Sequence, residues 1–208
     1  MHEVAAIVLA AGRSRRMGAF KPLLPFGNST VIDSCIDRLQ RASVADIVVV
    51  VGHRADEVRH HLQNSQVTFA LNPDVESEMS ASIACGLRKV QPGAKAVFIA
   101  LVDHPAVPVE VIEAIINAWQ AGAKLIIPQF EGRGGHPVLI DLNLRDEMLR
   151  LDPKRGLRAL FDAHRDDVCR LPVASPFVAR DMDTWEDYVR LHTEVFGGPP
   201  VTGAPSLP

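Results

Sequence analysis

Cysteine is scarce in this sequence. Only Cys35, Cys85 and Cys169 occur among 208 residues, far apart and with no C-x-x-C spacing. An odd, scattered set makes neither a disulfide framework nor a zinc site, and a reducing cytoplasm is the expected compartment. An excess of positive charge is also missing: 22 Lys and Arg stand against 25 Asp and Glu, for a net charge of −3. A nucleic-acid or anionic-membrane partner would need a broad basic face, so neither is expected. No apolar run approaches the ~18 residues that span a bilayer. The run VAAIVLAA follows Glu3 and precedes Arg13, Arg15 and Arg16, which is the reverse polarity of an export signal. G-x-G-x-x-G and G-K-[ST] are absent, which disfavours a dinucleotide fold and a P-loop. There is no G-x-S-x-G elbow and no evident nucleophile–base pair either.

What is present is an alternation of strand-like and helix-like patterns, in a chain whose length suits one domain with a substantial core. VAAIVLA (4–10), DIVVVVG (46–52), VTFAL (67–71) and AVFIAL (96–101) are continuous apolar runs, as expected of strands covered on both faces. Between and after them lie helical patterns at 29–43, 55–63, 78–90 and 108–122, the first with Ser29 or Thr30 as its cap and the last closed by Gly122. This β-α-β-α order predicts a parallel sheet with helices on both faces. The later chain predicts strands at 124–128, 136–140 and 167–173, helices at 142–151 and 155–164, and a final helix at 183–196 capped by Asp183 or Thr184. Residues 1–196 therefore form the expected domain. The Gly- and Pro-rich segment 197–208 has no periodicity and is expected to be disordered.

In an open α/β sheet, ligands bind beyond the carboxyl ends of the strands. The first strand delivers LAAGRSRRMGAFK, where the small residues Ala10, Ala11 and Gly12 admit a ligand close to the backbone. The N–H groups of such a loop cradle phosphates, and Arg13, Arg16 and Lys21 would neutralise them. The alternative is a solvated basic turn closed by a structural glycine. The fourth strand ends in LVDHP, where Asp103 suits a Mg²⁺ ligand or, alternatively, a cap for the helix at 108. In RDMDTWEDY, Asp181 and Asp183 point to the same side of an extended segment, one suited to capping and one to a metal. His104 suits the orienting of Asp103. His136 suits either an anionic acceptor or a backbone partner.

The loop L-A-A-G-x-S-x-R-M-G-x-x-K-x-L-L-P resembles the signature of the MobA-like nucleotidyltransferases, which include the molybdenum-cofactor guanylyl- and cytidylyltransferases. LVDHP, GRGGHPVLI (132–140) and DMDTWEDY extend the resemblance to about residue 190. The fold it implies is α/β, a Rossmann-like three-layer sandwich with a mostly parallel central sheet. By the same resemblance, Leu9, Ala10, Ala11, Gly12, Arg13, Asn72 and Ser82 would bind the nucleotide. Lys21, Arg16 and Asp103 would be catalytic, Asp103 and Asp181 would coordinate Mg²⁺, and Arg133 and His136 would border the acceptor. Ala11 and GGHPVLI resemble the cytidylyl branch, which implies CTP as donor and a phosphorylated acceptor, molybdopterin, with a molybdoenzyme or its chaperone as onward partner. Glu78, Lys154 and Trp185 depart from the family pattern. A sugar 1-phosphate or phosphocholine nucleotidyltransferase, and a nucleotide-binding regulatory module without turnover, are the competing expectations.

Overall fold

The structure, a computed structural model, describes residues 3–14, 16–74 and 76–201. Among these the chain runs β1 (Val4–Ala10), β2 (Pro25–Phe26), β3 (Ser29–Thr30), α1 (Val31–Arg41), β4 (Asp46–Val51), α2 (Ala55–His61), β5 (Thr68–Leu71), α3 (Met79–Leu87), β6 (Ala96–Leu101) and α4 (Val109–Gln120). It continues with β7 (Leu125–Phe130), β8 (Arg133–Gly134), β9 (Val138–Asp141), α5 (Arg145–Leu149), α6 (Leu157–Ala163), β10 (Val168–Pro172) and α7 (Trp185–Phe196). The central sheet has the order β10-β7-β9-β6-β1-β4-β5, with β8 paired to β7. β6, β1, β4 and β5 are mutually parallel, and β9 enters antiparallel between β6 and β7.

Burial explains the continuous apolar runs. Every residue of β1 is buried, and the alternating side chains feed two separate cores. Val4, Ala6, Val8 and Ala10 join Ile47, Val49 and Phe98 beneath α1, α4 and α7. Ala5, Ile7 and Leu9 join Val48, Val50 and Ile99 beneath α3, α5 and α6. These are the three layers expected from the sequence, and the helix–sheet contact is close. At Gly86 of α3 an added Cβ would lie 2.6 Å from Ile7 Cγ2.

Helix ends follow local chemistry. Thr30 caps α1 and Thr184 caps α7, each in a capping box with an Asp at the third helical position, Asp33 and Asp187. Asp183 therefore does not cap α7. Asp103 does not cap α4 either, whose N-cap is Pro108. Part of the segment expected to be disordered folds back: His192 Nδ1 donates to the Gly198 carbonyl at 2.7 Å, and Pro200 is buried. Residues 202–208 lie outside the described residues.

The chain moves from β1 outward to β4 and β5, then returns across the sheet to β6 on the other side of β1. Strand order reverses there, and the crevice at such a switch point is where open α/β sheets bind ligands. The loops leaving β1 and β6 carry the two stretches that the sequence singled out, 12–21 and Asp103.

Candidate active site

β1 ends at Ala10, which is buried in the strand and stands behind the site. Ala11 and Gly12 begin the turn, and a Cβ placed on Gly12 would meet nothing within 4 Å. The loop then folds on itself: the Ser14 carbonyl accepts from the N–H groups of Met17 (3.1 Å) and Gly18 (3.3 Å), and Ser14 Oγ accepts from the Lys21 N–H (3.3 Å). Met17 and Phe20 are buried and anchor the loop to the core, with the Arg54 guanidinium 4.5 Å above the Phe20 ring. This anchoring turns the Lys21 side chain inward, where only 10% of it is exposed.

Lys21 Nζ donates to Asp183 Oδ1 at 2.9 Å and lies 3.6 Å from Asp103 Oδ2. Arg16 Nη1 is 2.7 Å from the other Asp183 oxygen. Asp103 is held on three sides. Its Oδ1 accepts from His104 Nδ1 at 2.9 Å, its Oδ2 faces Lys21, and its main-chain carbonyl accepts from the Met182 N–H at 3.2 Å. Burial alone would raise the Asp103 pKa. The hydrogen bond from His104 and the charge of Lys21 are among the interactions that outweigh burial and hold it below the ordinary carboxylate value. Asp103 is thus a carboxylate at neutral pH.

Two cavities meet at this cluster. One, of about 280 Å³, is bounded by Leu9, Ala11, Gly12, Asn72, Ser82 and Asp103. The other, of about 390 Å³, is bounded by Arg13, Arg16, Glu76 and Asp183. Ser14, Lys21 and Ser77 line both. Arg13 pairs with Glu76 across the second cavity. Asn72 is buried and donates to Ser77 Oγ (2.9 Å) and Ser82 Oγ (2.8 Å), and it accepts from the Asp74 N–H at 3.2 Å.

The structure brings Leu9, Ala11, Gly12, Arg13, Arg16, Lys21, Asn72, Ser82 and Asp103 to the walls of these cavities. It leaves four others off those walls, the buried Ala10 of β1 and Asp181, Arg133 and His136. Asp181 is exposed, and Asp183 carries the contacts to Lys21 and Arg16 instead. The two aspartates flank the fully buried Met182, and of the two Asp183 is the one that reaches the lysine. Arg133 is exposed on β8, outside both cavities. His136 lies behind Asp103, with Nδ1 3.4 Å from the Ile99 carbonyl and its ring centroid 5.5 Å from that of His104. Burial, with the His104 charge second, lowers its pKa to about 4, so it is neutral at pH 7. Sequence reasoning missed Ser14 and Ser77, whose signal is weak: a serine in a loop has many uses.

Residues 6–168 match the family model of the MobA-like NTP transferase domain. The chain belongs to this family. It is 32% identical over 192 residues to the molybdenum cofactor cytidylyltransferase of Escherichia coli (strain K12), covering 91% of this chain and 95% of that protein. It is 29% identical over 169 residues to a probable molybdenum cofactor guanylyltransferase of Mycobacterium avium (strain 104), covering 77% and 82%. Among solved structures it resembles Rv0371c of Mycobacterium tuberculosis H37Rv, with a TM-score of 0.82 and 28% identity over 91% of this chain and 97% of that one. That protein has also been solved in complex with manganese, where the TM-score is 0.78. The protein is a nucleotidyltransferase of this family, with the three-layer fold that its signature loop implied. Among the described residues no helix is long and apolar enough to cross a membrane.

Proposed function

We propose that the protein transfers CMP from CTP to the phosphate of a molybdopterin acceptor, releases pyrophosphate and uses Mg²⁺. The observation that carries this reading is the Lys21 ammonium at the junction of the two cavities, 2.9 Å from Asp183 and 3.6 Å from Asp103. The choice of base and acceptor is supported by the near full-length likeness to the E. coli cytidylyltransferase, by Ala11 and by GGHPVLI.

In this reading the base and ribose take the smaller cavity. Both Asn72 amide hydrogens are committed to Ser77 and Ser82, which leaves the Ser82 hydroxyl hydrogen to meet an acceptor atom on the base. The triphosphate takes the second cavity, where Arg16, Lys21 and Arg13 exchange their carboxylate partners for phosphate oxygens. An acceptor phosphate oxygen attacks the α-phosphorus in line. The bond from the α-phosphorus to its bridging oxygen breaks, and the electron pair leaves with pyrophosphate. The attacking oxygen is already ionised at neutral pH, so no general base is required. What remains for the protein is alignment and charge neutralisation.

Asp103 and Asp183 fit Mg²⁺, a hard cation that takes one or two carboxylates and completes its shell with water and substrate oxygens. The Lys21 ammonium, which both carboxylates face, marks a space where positive charge is stabilised. Bound there, the metal would neutralise phosphate charge and tether the reacting oxygens. Pyrophosphate release with Mg²⁺, measured across the four NTPs and crossed with molybdopterin, sugar 1-phosphates and phosphocholine, tests the proposal. Turnover is expected for CTP with molybdopterin. A preference for GTP overturns the base assignment, turnover with a sugar phosphate overturns the acceptor, and no turnover with any pair overturns the whole reading.

A further inference from the structure

We propose that His104 is a positioning residue for Asp103: its Nδ1–H holds Oδ1 and so reserves Oδ2 for a divalent cation and the substrate phosphates. The inference rests on the metal site in the proposed function and adds a residue that does not itself face the cavities. Its geometry begins with the turn after β6, in which the His104 N–H donates to the Leu101 carbonyl at 3.1 Å and the chain doubles back. That turn lays the imidazole beside the carboxylate of its own neighbour, 2.9 Å from Oδ1. A carboxylate only accepts, so Nδ1 carries the hydrogen.

The imidazole is itself immobilised. Only 8% of its side chain is exposed, and it sits in an apolar recess with Cys35, Val107 and Pro137. The His136 ring leans on it at 59° and is tied in turn to the Ile99 carbonyl of β6. The strand that presents Asp103 thereby also supplies the stop behind its partner. The two carboxylate oxygens divide their work: one is fixed to a buried donor, and the other is 3.6 Å from Lys21. Without the donor, the carboxylate is free to rotate and offer both oxygens to Lys21, which competes with any cation for them. Partners that orient a ligand carboxylate in this way typically change metal affinity by about 10–100-fold.

The test compares His104→Leu, which keeps an apolar filler, with His104→Asn, whose amide N–H can occupy the place of Nδ1–H. Mn²⁺ binding to the substrate-free protein is read by EPR of the free ion, and the Mg²⁺ dependence of turnover is read separately. The Leu variant is expected to weaken Mn²⁺ binding about tenfold and to raise the half-saturating Mg²⁺ similarly, with the KM for CTP changed less than about twofold. The Asn variant is expected to regain most of the loss. Wild-type Mn²⁺ affinity in the Leu variant overturns the assignment, and so does equal weakening in both variants in proportion to their loss of thermal stability. Absence of both metal binding and turnover in the unaltered protein overturns this inference together with the reading beneath it, which separates the two failures.

Discussion

Asp183→Asn, set against Asp181→Asn, separates two carboxylates that stand two residues apart on the same short segment. Asp183 accepts from Lys21 at 2.9 Å and pairs with Arg16 at 2.7 Å, at a site where its side chain is 26% exposed and that of Lys21 is 10% exposed. Hydrogen bonds to charged groups contribute about 1.5–3 kcal/mol, and Lys21 keeps Asp103 as a second partner, so the loss stays within that range. For a chain of this size it amounts to a drop in Tm of roughly 3–12 °C. In turnover, removal of one preorganised charged group from the phosphate site is expected to cost about 10²–10³-fold. Asp181 is exposed, and its Asn variant is expected to stay within about 0.5 kcal/mol of wild type and to turn over normally. Pyrophosphate release at saturating Mg²⁺ and thermal melting measure both effects. An inactive Asp181→Asn beside an active Asp183→Asn would refute the reasoning, because the contacts to Lys21 and Arg16 would then say nothing about which carboxylate serves the reaction.

His136 gives a pH signature. Its pKa is lowered to about 4 in the fold, so the unfolded chain, with a histidine near 6.5, binds more protons between those values. The stability from keeping it neutral is complete above about pH 6.5 and is lost as pH falls toward 4, by about 3 kcal/mol in all. Urea titrations at pH 4.5 and 7 should show a difference that shrinks in His136→Gln; an unchanged difference refutes the origin. Gly135→Ala puts a Cβ 2.0 Å from the Val178 carbonyl oxygen, a backbone atom that cannot swing aside, and is expected to lower Tm by several degrees, as overpacking of about 1–3 kcal/mol does. Thr184→Ala removes the α7 cap beside Asp183 and should cost about 1 kcal/mol in a denaturant melt. A measured change near zero at either position contradicts the packing or capping described.

The parts of the fold that were legible in the sequence were those written locally. VAAIVLA and AVFIAL are strands because each residue must be apolar to fill cores on both faces, and their bounds coincide with β1 and β6. The sequence narrows the starts of α1 and α7 to Ser29 or Thr30 and to Asp183 or Thr184, and the capping boxes choose the threonines. The β2–β3 hairpin left no such mark: its strands are two residues each, too short for a period to register, and Tyr188 of α7 holds it by donating to the Pro25 carbonyl at 2.6 Å. β9 read correctly as a strand, but its antiparallel insertion between β6 and β7 is a matter of pairing that no local pattern states.

The site divides along the same line, and Lys21 shows why. Asp103 stood out because it directly follows the apolar run of β6, and Arg16 and Lys21 because they crowd charge into the loop after β1. The choice between Asp181 and Asp183 was not visible, because a two-residue period puts both on one side. The decision comes from a lysine 162 residues away, whose position depends on Met17 and Phe20 anchoring its loop. In the sequence His136 is open between an anionic acceptor and a backbone partner for a related reason, and the Ile99 carbonyl is the partner the structure shows. The neighbourhood of His136 in GRGGHPVLI suits an anionic ligand, but the close approach of Gly135 to Val178 and the bond from the His136 N–H to the Val178 carbonyl fix the chain where the ring is placed behind Asp103. A charged residue at a strand end can be read as functional from sequence. Which carboxylate faces Lys21 and Arg16, and which is left exposed, is decided by groups packed behind the segment, and those belong to the tertiary fold.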